Sequence, residues 1–420
     1  MEKIDQRKRK LASILFTYEE VSEEVLRLLL GDKSRARFIL KAMFREEVIK
    51  KSKQNVKDEN KKKLYATTSV YLTTQGKRLI CGEDAEVPSR KDSVKNLERM
   101  KKVSDSILMC CVAGCVGLRK YGYPEYYRLY DQETGYLHIN PFALGEAKQE
   151  VNGIEIMESD FQLDALIPLK DKYGVVIPMK EIREFYKLSK DDVNHYNFSS
   201  STGVLLGKYS PYFLYHANEG YLSTSKGGEN SLMKQITLHL FRQGVYTMGK
   251  NDLFNIANGI PFHKAIIFVN NKVDFRRFIK NHYNLNYAAF EQYKEAIVIP
   301  TNSDGANFLK LQIMNNGFKD TTINAFCKSG YTLRNEKIDN FAFPLLDKSG
   351  KKVYYGINMD INSLTYMYKY VQDNDGEIDF KILCLKWQKG YYQSLLGQEI
   401  TCVTIDEGKV AKYIDPAQSI

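Results

Sequence analysis

The stretch that decides the reading is Thr17-Tyr18-Glu19-Glu20-Val21-Ser22-Glu23-Glu24-Val25-Leu26-Arg27-Leu28-Leu29-Leu30-Gly31-Asp32-Lys33-Ser34-Arg35-Ala36-Arg37-Phe38-Ile39-Leu40-Lys41. Thr17 and Glu20 have the spacing of a capping box, in which a hydroxyl and a carboxylate satisfy the free donors of a new helix. A helix to about Leu30 is expected. Gly31-Asp32-Lys33-Ser34 makes the turn after it. A second helix then carries Arg35, Arg37 and Lys41 on one side and Phe38, Ile39, Ala42 and Met43 on the other. An apolar face to sit on the first helix and an exposed basic face are the chemistry of a helix that meets phosphates and base edges.

Working outward, residues 2–15 read as a preceding helix with Ile4, Leu11, Ile14 and Leu15 as its apolar stripe. After Val48-Ile49 come Lys50, Lys51, Lys53, Lys57, Lys61, Lys62 and Lys63, then the β-rich run Leu64–Leu72, which together predict two strands around a lysine-rich tip. Leu72-Thr73-Thr74-Gln75-Gly76-Lys77-Arg78-Leu79 is expected to turn at its glycine into another helix. This order of parts resembles winged helix-turn-helix DNA-binding domains, here residues 1–82. The resemblance makes double-stranded DNA the expected partner, held by Ser34, Arg35, Arg37, Lys41 and the seven wing lysines.

Charge is sorted to match. Residues 1–103 hold 26 Lys and Arg against 16 Asp and Glu, whereas the rest of the chain holds 35 of each. The whole surplus of ten sits on the amino-terminal quarter, as a phosphate-binding surface requires. No basic amphipathic helix carries Trp or Phe on an apolar face, which disfavours a membrane surface. The longest uncharged apolar run, Ile107–Leu118, is too short to span a bilayer. The opening Met1–Lys10 is charged and shows no signal segment. Seven cysteines include no CxxC pair, and Cys110, Cys111 and Cys115 fall in an apolar helix with no histidine near. Reduced core thiols in a cytoplasmic protein are expected.

At 420 residues two or three domains are expected. Gly82–Lys91 reads as a linker. A long helix is predicted over 92–118, basic in its first half and apolar in its second, offering a seam for a homodimer or for the next domain. The middle, 119–250, alternates short strands with turns, among them the tyrosine-dense Tyr123–Tyr130, Leu163–Leu169, Tyr173–Ile177, Ser201–Leu206 and Pro211–His216, with a helix over Glu229–Arg242. In 260–420, as a second domain or a continuation, apolar strands at Lys264–Val269, Ala296–Pro300 and Ile382–Leu385 alternate with helices. The fold class is thus α+β and α/β: an N-terminal winged helix, a connecting helix, then mixed or mostly parallel α/β architecture.

Ligands of such sheets bind beyond the strand carboxyl ends. Here those ends are Asn270-Asn271-Lys272 and Thr301–Asn307, both polar; the second could cradle a phosphate, although ordinary polar loops are the favoured reading. Neither GxGxxG nor GxxxxGK[ST] occurs, and the six histidines form no HxH or HExxH, so no cofactor and no metal are expected. One enzymatic alternative stands: a metal-dependent nuclease with a degenerate restriction-endonuclease-like core, using Asp160, Asp164 and Glu229. The strand expected to bear an acidic-x-Lys reads Val175-Val176-Ile177-Pro178-Met179-Lys180 and lacks the acid.

The segments Thr17–Leu79, Val94–Gly114 and Leu163-Asp164-Ala165-Leu166 together resemble the bacterial replication-relaxation family of plasmid and conjugative elements. Leu163 stands where that family has proline. The resemblance implies a DNA-binding protein of a plasmid or mobile genetic element acting in replication, mobilisation or transcriptional control. A further alternative is a non-enzymatic adaptor that brings a relaxase or replication protein to its origin.

Overall fold

The computed structural model describes residues 2–31, 33–57, 63–81, 87, 94–120, 136–139, 174–185, 200–217, 222, 233, 236–237, 240, 246, 263–284, 290–291, 293–334 and 343–414. Lys61, Lys62, Asp160, Asp164, Glu229 and the runs Tyr123–Tyr130 and Leu163–Leu169 fall outside them, as does the expected linker apart from Val87.

The first elements are α1 (Glu2–Tyr18), β1 (Val21–Ser22), α2 (Glu23–Leu29), α3 (Lys33–Arg45), β2 (Ile49–Lys57), β3 (Lys63–Leu72) and α4 (Thr74–Cys81). Strands β1 and β2 flank β3, both antiparallel to it. The expected capping box is corrected. Thr17 is inside α1, where its hydroxyl donates to the Ser13 carbonyl at 2.9 Å. Glu19 takes a φ of 61° and ends the helix, and Glu20 turns inward to accept from the Ser69 hydroxyl. Helix α2 therefore begins only at Glu23, with Glu23 and Glu24 facing the positive end of its dipole. Gly76 is likewise not the turn but lies inside α4. There a Cβ would stand 2.1 Å from the Val48 carbonyl oxygen, so the glycine lets two backbones touch. Thr73 starts the helix, its hydroxyl accepting from the Gly76 N–H at 3.0 Å.

Helix α5 (Val94–Val112) is shorter than the sequence suggests. Gly114, at φ 99°, stops it, with the Cys115 N–H donating to the Cys110 carbonyl at 3.0 Å and the Gly114 N–H to Cys111 at 3.0 Å. This is the paired closure of a Schellman motif, and the residues beyond become β4 (Val116–Lys120). Cys110, Cys111 and Cys115 are fully buried there. The polar end of α5 holds the N-terminal module. Asp105, 0% exposed, accepts from the Ser22 N–H at 2.8 Å, from the Ser22 hydroxyl and from the Lys101 ammonium at 2.9 Å. Next to it in sequence, the Ser104 hydroxyl donates to the Tyr18 carbonyl at 2.9 Å.

After β5 (Tyr136–Ile139), β6 (Val175–Pro178), α6 (Met179–Phe185), β7 (Gly203–Leu206), β8 (Pro211–His216), β9 (Lys264–Val269), α7 (Lys272–Asn284) and β10 (Glu295–Pro300), one seven-stranded sheet is complete, in the order β10-β9-β8-β7-β6-β4-β5. Strands β8, β9 and β10 are parallel, as are β4 and β6, whereas β7 runs against both β6 and β8 and β5 against β4. The sheet is therefore mixed rather than mostly parallel. The short Gly207–Ser210 connection permits only an antiparallel pair. Strands β6 to β10 are apolar over most of their length because both faces are covered. Val176, Leu205, Leu214, Ile266 and Ile297 join the core that α5 and the N-terminal module share, while Ile177, Val204, Phe213, Ile267 and Val298 join the opposite one.

A second sheet follows α8 (Ser303–Met314) and α9 (Phe318–Lys328). It comprises β11 (Thr332–Leu333), β12 (Leu345–Leu346), β13 (Lys352–Tyr355), β14 (Lys381–Leu385) and β15 (Cys402–Ile405), with α10 (Ile361–Asp373), α11 (Lys389–Leu396) and α12 (Glu407–Ile414). Strands β13, β14 and β15 are parallel, as the helix-strand alternation predicts. Asp360 caps α10 from its Ser363 N–H at 3.1 Å and accepts from the Ala296 N–H of β10 at 3.0 Å, tying the two sheets together. Among the described residues no helix is long and apolar enough to cross a membrane.

Two stability predictions follow from these contacts. Asp105→Ala should cost about 3 kcal/mol in denaturant unfolding, because it strands the buried Lys101 and two Ser22 donors. Gly76→Ala should cost roughly 1–3 kcal/mol by overpacking against Val48.

Candidate nucleic-acid interface

Helix α3 presents two faces. Ala36, Ile39, Leu40 and Met43 are buried against α1 and α2, while Ser34, Arg35, Arg37, Lys41 and Arg45 are exposed. The basic candidates are thus gathered on one surface, and α3 contains no acidic residue. Phe38 is a correction. Expected on the apolar face, it is 60% exposed among the cations. The helical period already carried this signal, since at ~100° per residue Phe38 lies about 40° round the axis from Ser34.

The hairpin divides its lysines. In β2 the register sets Ile49 opposite Leu72, Lys51 opposite Val70 and Lys53 opposite Thr68. Ile49, Val70 and Leu72 are buried in the helical core, so strand alternation puts Lys51 and Lys53 on the side that faces α3. Lys50, paired with Tyr71, lies on the other face, where Gln54 donates to Glu98 of α5. Lys51 is engaged already. Its ammonium is 2.9 Å from Glu23 and 4.7 Å from the centre of the Phe44 ring. Partial burial opposes charge on Glu23, but Lys51 and Arg27 outweigh it and hold the carboxyl below its ordinary range. Lys53 is exposed on the same face. Lys57 and Lys63 pair across the end of the hairpin.

Near that end the hairpin is fastened to the large sheet. The Tyr65 hydroxyl donates to Asp274, a fully buried carboxylate in the first turn of α7 that also accepts from the Asn270 side chain at 2.8 Å. Burial raises the Asp274 pKa, against the pull of these two donors. Burial and the neighbouring carboxylate push the Tyr65 phenol well up. Asn271 caps α7, accepting from the Val273 and Asp274 N–H groups at 2.8 and 3.1 Å, and Asn302 caps α8 from Gly305 at 2.9 Å. The polar loops beyond β9 and β10 therefore serve as helix caps and as the seat for Tyr65. Neither Asp274 nor Asp105 stood out in the sequence, because each becomes a site only through a partner at least 80 residues away.

Among the described residues no group of three or more His, Cys, Asp or Glu side chains is placed to hold a metal ion. Burial raises the thiols of Cys110, Cys111 and Cys115 above their ordinary range, which keeps them protonated. No family model, curated protein or solved structure matches the chain.

Tyr65→Phe should lower stability by about 1–2 kcal/mol at neutral pH, since it removes one donor from a buried carboxylate. The sign of the pH dependence is fixed. Losing the phenol raises the folded pKa of Asp274 further, and a raised carboxyl penalises the folded state only above its unfolded pKa. The deficit of the variant, measured by denaturation across pH, should therefore shrink as the pH falls towards the ordinary aspartate value of 3.8.

Proposed function

We propose that the chain is a DNA-binding protein of a plasmid or other mobile element, acting in replication, mobilisation or transcriptional control through a winged helix formed by residues 1–82. The observation that carries this reading is the one-sided basic face of α3, with Ser34, Arg35, Arg37, Lys41 and Arg45 exposed and no acid on the helix. It is supported by the α-β-α-α-β-β order of the module, by its antiparallel three-stranded sheet, and by the confinement of the chain's surplus charge to residues 1–103. In this reading α3 enters the major groove. Lys53 meets the phosphate backbone, as do Lys57, Lys61, Lys62 and Lys63, the lysines that the sequence assigns to the wing. The mobile-element setting rests on the resemblance to the replication-relaxation family.

The test is fluorescence anisotropy of the full chain on random-sequence duplex and on DNA flanking its own gene, across a salt series. The full chain is needed because Asp105, beyond the basic quarter, anchors Ser22. Log affinity should fall with log salt by about 0.9 for each phosphate neutralised. Arg37→Ala and Lys41→Ala should each weaken binding and lower that slope by about one if the side chain contacts a phosphate. Lys53→Ala should weaken binding more than Lys51→Ala, since Lys51 is held by Glu23. Absence of duplex binding, or variants on α3 that leave affinity untouched, would remove the reading.

A further inference from the structure

Phe38 is an aromatic side chain that folding leaves in water. At 60% exposure it is the most exposed large apolar residue among those described. The core does not need it, since Ala36, Ile39, Leu40 and Met43 already seat α3. Its neighbours one turn away on the helix surface are Ser34 and Arg35 on one side and Lys41 and Ala42 on the other, with Arg37 beside it. Among the described residues no aromatic or ionic partner covers the ring. The result is a small apolar centre fenced by three cations.

That pattern narrows the occupant. A second copy of the chain would bring the same cationic fence and be repelled. An apolar protein groove would leave three cations facing uncharged surface. A duplex supplies both halves, because phosphates line the rims of the major groove and the 5-methyl group of thymine is its apolar feature, a known partner for phenylalanine.

We propose that Phe38 is a specificity-determining side chain whose ring packs on thymine 5-methyl groups in the major groove, while Arg35, Arg37 and Lys41 hold the surrounding phosphates and base edges. This inference rests on the DNA-binding reading above and adds what the helix selects, namely thymine-containing steps.

The test uses the full chain to enrich duplexes from a random pool. The best-bound duplex is then remade with deoxyuridine in place of thymidine, one position at a time. Uracil lacks only the 5-methyl group, so pairing and phosphate charge are unchanged. The wild-type chain should bind about fourfold more weakly at the contacted position, the worth of one buried methyl group. Phe38→Ala should bind both duplexes equally, and Phe38→Leu should keep part of the discrimination. Because Phe38 lies outside the core, Phe38→Ala should retain the wild-type melting temperature.

Equal discrimination by wild type and Phe38→Ala, or deoxyuridine tolerated at every position, overturns the proposal while leaving DNA binding intact. A pool that yields no bound duplex removes the DNA-binding reading itself, and this inference with it. Sedimentation gives a further check: a change of oligomeric state in Phe38→Ala without loss of thymine discrimination would make the ring a self-interface and overturn the proposal.

Discussion

The arrangement of the molecule depends on one buried carboxylate. Asp105 has no exposure to water, and a charge so placed is tolerable only when its oxygens are fully engaged. Its donors come from Lys101 on its own helix and from Ser22 at the head of α2. These bonds, with Ser104 reaching the end of α1, fix both ends of the β1 connection on α5. Helix α5 in turn lies on the seven-stranded sheet and supplies Ile107, Leu108 and Cys111 to the core it shares with α1 and α2. The amino-terminal module is thus set at a defined angle on the sheet rather than carried on a tether.

What was legible in the sequence followed from periodicity. The 3.6-residue spacing marked α1, α3 and α5, and the unbroken apolar runs marked β9, β10 and β14, because both faces of those strands are covered. The errors have physical causes as specific as the successes. Thr17 and Glu20 have the spacing of a cap, but the apolar stripe of α1 continues through Leu15 to Tyr18, and burying it outweighs starting a new helix at Thr17. The chemistry of Phe38 points inward, but its angular position on the helix turns it out. Lysines at odd and even places in β2 look alike by residue type, although a strand sends them to opposite faces.

The candidate interface was legible to a different degree. The exposed basic side of α3 followed directly from residue type and spacing. Lys51, by contrast, is indistinguishable from Lys53 by sequence, and only the folded chain brings the distant Glu23 against it. The same holds for the loops beyond β9 and β10, whose asparagines resemble ligand-binding groups. Their engagement as caps of α7 and α8 is visible only once the helices are in place.

The bond between Tyr65 and Asp274 bears on the entropy of any later association. A hairpin arm that projects freely loses conformational freedom when it settles on a surface, and that loss is subtracted from affinity. Here the arm is pinned two residues from the start of β3, where the half-buried Tyr65 reaches the buried Asp274 of α7. Most of its ordering is completed when the chain folds. Where β2 and β3 pair, the hairpin meets a partner already preorganised, and its shape is set as much by the far sheet as by its own two strands.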